Sequence, residues 1–213
     1  MTTDGVIFDL DGTLWDSTAA CAIAYNEAIR SMDNPAPEVS ADDLKRLFGL
    51  PNEEIQKRVF PNVPPAEQSR LMEIALEAEF RCLWAYPPSA YDGVREALER
   101  LAPLPLFIVS NCGSGYIEIF LELTGLGDLF TDHLCPGDTG RLKADNIREI
   151  AARYGLSAPV YVGDTQGDSD AAHRAGVPMI FAAYGFGHVT DAAARIDSIR
   201  ALPALVGGET REN

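Results

Sequence analysis

Short apolar runs punctuate this chain at Val6-Ile7-Phe8, Leu106-Phe107-Ile108-Val109, Val160-Tyr161-Val162 and Met179-Ile180-Phe181. Each is apolar at successive rather than alternate positions, so a strand built from it must be buried on both faces. Between them, apolar residues recur at helical spacing, as in Val94, Ala97, Leu98, Leu101 and again in Ile147, Ile150, Ala151, Tyr154. Strands that alternate with such helices specify a parallel sheet covered on both sides. Phe130 to Cys135 offers a weaker fifth strand. The expected fold is α/β: a Rossmann-like three-layer α/β/α core with a mostly parallel five-stranded sheet.

The interval between the first two strands is too long for one crossover helix. It carries helical patterns of its own at Ala22, Tyr25, Ile29, Met32 and at Leu71, Ala75, Ala78, Cys82. Pro35-Ala36-Pro37 and Pro61 to Pro65 interrupt it, and Tyr86-Pro87-Pro88 closes it. We therefore expect an all-helical cap at 16–85 inserted into a core formed by 1–15 and 86–206, with 207–213 a flexible tail.

A formal charge of −15 argues against nucleic acid and anionic membranes as partners, since both require basic patches. The cysteines, Cys21, Cys82, Cys112 and Cys135, are scattered without a C-x-x-C pair, which fits reduced thiols better than a disulfide framework or a zinc site. No stretch approaches the ~18 apolar residues of a membrane span. No basic region followed by an apolar one opens the chain. The expectation is a cytoplasmic protein, monomeric or homodimeric.

Chemistry-bearing residues collect where the strands end, which is where open α/β sheets bind ligands. After the first strand comes Asp9-Leu10-Asp11-Gly12-Thr13-Leu14. In extended backbone, residues two apart face the same side, so Asp9 and Asp11 present as a pair. Two adjacent buried carboxylates are unfavourable unless a cation or protons compensate. Ser110-Asn111 follows the second strand and offers phosphate-binding donors or an ordinary helix cap. Lys143 stands before a helix near Ala144, free to reach a phosphate or a carboxylate, or to sit in solvent. Gly163-Asp164-Thr165-Gln166-Gly167-Asp168 follows another strand, with Asp164 at a metal-ligand position and Asp168 either orienting a lysine or capping its helix. Carboxylates, a lysine and a Ser-Asn pair converging on one sheet edge suit Mg²⁺, which takes one or two carboxylates together with phosphate oxygens.

These segments, in this order, resemble the four motifs of the haloacid dehalogenase superfamily, and most closely its phosphoglycolate-phosphatase-like branch. The resemblance spans Asp9 to Asp168. It implies that Asp9 is a nucleophile forming an aspartyl-phosphate and that Asp11 acts as acid and then base. It also implies Mg²⁺ held by Asp9, Asp11 (through its backbone carbonyl) and Asp164. Ser110, Asn111 and Lys143 would bind the phosphoryl group, with Asp168 in support. An acid at position 11 speaks against the dehalogenase and phosphonatase branches. Lys143 is followed by Ala144 where the motif commonly has proline, which leaves Arg141 as an alternative basic residue.

The expected reaction is hydrolysis of a small phosphomonoester of phosphoglycolate or sugar-phosphate type. A phosphosugar mutase with the same intermediate and a non-catalytic phosphate-binding regulator are the alternatives. Specificity would lie in the cap, where Lys45, Arg46, Phe48 and Gly49 precede a turn at Leu50-Pro51 that could reach the core site. Lys45 and Arg46 would meet a second anionic group there, or simply end a solvated helix. Trp15 lines the pocket or belongs to the core. His133, His173 and His188 have no spacing that suggests ligation.

Overall fold

The computed structural model describes residues 2–32 and 36–207. Pro35 and the tail at 208–213 lie outside the described residues. The sheet is entirely parallel, with strand order β3-β2-β1-β4-β5-β6. Its strands are β1 (Gly5–Phe8), β2 (Leu106–Val109), β3 (Asp132–Leu134), β4 (Pro159–Gly163), β5 (Met179–Ala182) and β6 (Ala194–Ile196). The strand order reverses between β1 and β4, and a crevice for ligands opens at such a switch point.

The sheet has six strands, where the sequence pattern predicts five. The additional strand, Ala194-Arg195-Ile196, pairs only with β5 at the sheet edge. With Arg195 exposed and Ala194 half-buried, it lacks the apolar run that betrays a strand buried on both faces. β3 is likewise shorter than the Phe130 to Cys135 segment that foreshadows it.

Strand alternation splits the core into two layers. Val6, Phe8, Ile108, Val160, Val162 and Ile180 face one side, together with buried residues of α5 (Val94–Leu101) and α6 (Tyr116–Thr124). Ile7, Phe107, Val109, Tyr161, Met179 and Phe181 face the other, against α8 (Lys143–Arg153) and α9 (Gln166–Ala175). The short helices α7 (Pro136–Thr139) and α10 (Leu202–Val206) complete the set that follows β2.

Between β1 and α5 lie α1 (Thr18–Arg30), α2 (Ala41–Lys45), α3 (Asn52–Val59) and α4 (Pro65–Ala85). α1 and α4 pack along their length, and small buried residues (Ala24 and Ala28, Ala75 and Ala78) permit a close approach. Asn26 ties α1 to the next loop by exchanging hydrogen bonds with the backbone of Val39 at 2.8 and 2.9 Å. No described helix is long and apolar enough to cross a membrane. All four cysteines are free and buried.

Candidate active site

β1 ends at Phe8, so Asp9 and Asp11 lie in the loop beyond it, and strand alternation does not set their directions. A turn does. The Leu14 amide bonds back to Leu10 O at 2.8 Å, and the Gly12 amide to Trp15 O at 2.9 Å. Gly12 adopts φ +83°, and a Cβ there would stand 2.2 Å from Asp164 Oδ2, so only glycine lets this loop press against the end of β4.

The two carboxyl groups line one cavity but have different partners. Asp9 Oδ1 accepts from Lys143 Nζ at 2.8 Å. Lys143, the first residue of α8, also donates to Asp168 Oδ1 at 2.7 Å, and all three side chains are buried. Burial alone would lower the Lys143 pKa, but Asp168 and Asp9 outweigh it and hold the ammonium above its usual range. Asp9 rises to about 6, chiefly by burial and then by repulsion from Asp168, against the pull of Lys143 and of a Ser110 hydrogen bond. Asp168 falls below its ordinary value despite burial, because Lys143 and Thr165 bind its charged form.

Asp11 turns the other way. Its Oδ1 accepts from Ser17 Oγ at 2.5 Å and lies 3.1 Å from the Tyr116 hydroxyl. Burial pushes it up to about 7, against the Ser17 hydrogen bond and helped by the charge of Asp9. This leaves a carboxyl group able to hold or release a proton near neutrality.

Asp164, at the end of β4, accepts from Thr13 Oγ1 at 3.2 Å and from the Phe186 amide at 2.7 Å. Burial, then repulsion from Asp168 and Asp9, holds its carboxyl well above the usual range. Carboxylate oxygens of Asp9, Asp164 and Asp168 all lie within 4.8 Å of one another. Lys143 answers Asp168, so Asp9 and Asp164 are the members that crowd each other without a full counter-charge. A hard divalent cation bound by oxygen fits this donor set and would relieve that repulsion. The Asp11 side chain is not in the group.

Asp168 both caps and supports. It completes the capping box of α9 with Thr165 while binding Lys143. Ser110 is buried beside Asp9. Asn111 lines the cavity, but its amide donates to Gly49 O at 3.1 Å, tying the loop after β2 to the loop after α2. Phe48 and Gly49 line the cavity too, so that loop does reach the core site. Lys45 and Arg46 do not line it. Lys45 binds Asp16 at 3.0 Å beside the Phe186 ring, and Arg46 is exposed against Asp43. Arg141 is also exposed, paired with Glu149 at 3.4 Å, while Lys143 occupies the position beside Asp9. Trp15 is fully buried and packs edge-on against Phe120 and Tyr116, as part of the core.

Sequence reasoning missed Ser17, Tyr116 and Glu79. Ser17 and Tyr116 are brought together by tertiary packing, and no spacing announces them. Glu79 had a signal: it stands four residues after Ala75 and three before Cys82, on the apolar face of α4. It is buried, lines the cavity and is pushed up to about 8 by burial and the charge of Asp11, with a Cys21 hydrogen bond opposing.

Residues 6–182 match the family model described as haloacid dehalogenase-like hydrolase. The chain is 31% identical over 191 residues to a phosphoglycolate phosphatase of Agrobacterium fabrum, covering 84% of this chain and 80% of the relative. It is 29% identical over 196 residues to one of Aliivibrio fischeri, covering 86% and 85%. Among solved structures, a haloacid dehalogenase-like hydrolase from Streptococcus pneumoniae aligns with TM-score 0.83 at 20% identity, over 96% of this chain and 98% of that one. CbbY from Rhodobacter sphaeroides, in complex with phosphate, aligns with TM-score 0.76 at 17% identity, over 94% and 96%. That family model spans most of the chain, and the chain belongs to the haloacid dehalogenase-like hydrolase family.

Proposed function

We propose that the protein is a Mg²⁺-dependent phosphatase that hydrolyses a small-molecule phosphomonoester through an aspartyl-phosphate on Asp9. The observation that carries this reading is the unequal treatment of two carboxyl groups in one cavity. Asp9 is bound to an ammonium, while Asp11 is bound to the neutral hydroxyls of Ser17 and Tyr116 and sits near neutral pKa. Opposed environments of this kind separate a nucleophile from an acid/base. The phosphoglycolate phosphatases at 29–31% identity support the reaction class.

In this reading an Asp9 oxygen attacks phosphorus and the P–O bond to the alcohol breaks. Asp11 gives its proton to the departing oxygen. Asp11 then takes a proton from water, which attacks the aspartyl-phosphate and frees inorganic phosphate and Asp9. Lys143 and Ser110 stand beside Asp9 to answer the charge on the transferring group, and Asp168 keeps Lys143 in place. Asp9, Asp164 and the Asp11 carbonyl would hold Mg²⁺, which when bound supplies positive charge to the phosphoryl oxygens. Residues 16–85 would serve as a cap over the cavity through Phe48, Gly49 and Glu79.

Assaying phosphate release from an aryl phosphate, with and without Mg²⁺, tests this. Metal-dependent release supports the reading. Isomerisation of a sugar phosphate without phosphate release would favour a mutase instead.

A further inference from the structure

Away from Asp9, a second group of ligating side chains meets where α6, β3 and α7 come together. Glu118 lies in the first turn of α6, His133 in β3 and Asp138 in α7. Their spacing in the chain carries no metal-binding signal, and the fold alone assembles them. Leu134 packs into the layer facing α8 and α9, so its neighbour His133 faces the opposite side, toward α6. Gly137 lets α7 press against the loop after β2, since a Cβ there would stand 2.1 Å from the Ser114 amide nitrogen. One ring nitrogen of His133 and one oxygen from each of Glu118 and Asp138 thus lie within 4.8 Å of one another.

A separate observation concerns His133 itself. Its Nδ1 is buried and has no hydrogen-bond partner among the described residues, an uncommon condition for a buried polar atom. Hydrogen bonds from Ser114 and from Cys135 Sγ, which lies 3.0 Å from Oδ2, hold the Asp138 carboxyl below its usual range. Among the described residues, no Lys or Arg pairs with Glu118 or Asp138. Two carboxylates and an imidazole therefore converge without a cation to answer them.

We propose that Glu118, His133 and Asp138 form a second metal site, for a divalent transition ion such as Zn²⁺, with water completing its shell. The site lies outside the proposed catalytic centre and does not depend on the phosphatase reading. An imidazole with two carboxylates is a mixed nitrogen and oxygen set. Such a set suits Zn²⁺ better than Mg²⁺, which takes oxygen donors. Glu118 and Asp138 are exposed, so the ion can enter from solvent after folding. Glu118 also stands in the same helical turn as Tyr116, so a bound ion braces the start of α6 against β3.

The test is calorimetric titration of Zn²⁺ into the full chain carrying Asp164→Asn, which disables the carboxylate group at Asp9, in excess Mg²⁺. Binding should saturate at one ion per chain. Glu118→Gln, and His133→Gln where it folds, should each weaken binding by about tenfold or more. Zn²⁺ should also raise the unfolding temperature of the Asp164→Asn chain, and Glu118→Gln should diminish that rise. Glu118 is exposed, so its variant decides the matter even where the His133 variant does not fold. No binding, or an affinity that either folded variant leaves unchanged, overturns the inference. So does binding that is lost on His173→Gln instead.

Discussion

The Tyr116 hydroxyl stands 3.1 Å from Asp11 Oδ1 and 2.7 Å from Ser17 Oγ, closing a ring of hydrogen bonds with the 2.5 Å contact from Ser17 to Asp11. The ring fixes the direction of the proposed acid/base without giving it a counter-charge. Tyr116 comes from the start of α6 and Ser17 from the edge of α1, so folding itself assembles the support.

Tyr116→Phe removes the hydroxyl, and with it the contacts to both Asp11 and Ser17, while the aromatic side chain stays in place. If Tyr116 positions Asp11, kcat with an aryl phosphate should fall roughly 10- to 150-fold while KM changes little, since one hydrogen bond to a charged group is worth about 1.5–3 kcal/mol. The pH profile of kcat should shift as well, which a purely structural loss would not produce. An unchanged profile with a raised KM would assign Tyr116 to substrate binding.

Lys143 holds two buried carboxylates together. Lys143→Met leaves Asp9 and Asp168 facing each other without a cation, and breaking such a buried arrangement costs about 3–5 kcal/mol. Urea unfolding should show this loss. Adding Asp168→Asn to Lys143→Met should recover part of it, because one of the stranded charges is gone. Additive losses in the double variant would show that the pair is not coupled.

Much of the site was legible because strands buried on both faces must end where the chain turns polar. Asp9, Asp11, Ser110, Asp164 and Lys143 all follow or precede apolar segments, and the four main strands are continuous apolar runs. β6 was hidden because an edge strand of Ala-Arg-Ile carries no such run. The direction of Asp11 was not legible either, since it depends on a turn beyond β1 and on a tyrosine 105 residues away in the chain. Lys45 and Arg46 read as candidates for an anion because sequence shows their charge and not their partners, Asp16 and Asp43.

Glu79 should make stability fall with rising pH. Its folded value of about 8 exceeds the ordinary 4.5, so the folded state keeps a proton that the unfolded chain releases between those values. The contribution is fully present below about pH 4.5 and is lost as pH rises through about 8. Asp11, Cys21, Tyr25, Cys82 and Tyr116 are titratable groups that interact with it. Glu79→Gln carries no such proton. Between pH 5 and 8, without metal, the wild type should lose on the order of 2–4 kcal/mol more than the variant, read from urea midpoints. Parallel profiles would place Glu79 in an ordinary solvated state.

The most direct test of the central claim is aryl phosphate turnover by Asp9→Asn in Mg²⁺, with folding checked by circular dichroism. Asparagine preserves shape but cannot attack phosphorus as a carboxylate. The account predicts a loss of roughly 10³-fold or more in kcat. A folded variant that retains a tenth of wild-type turnover would contradict it, and the nucleophile would have to be sought elsewhere in the cavity.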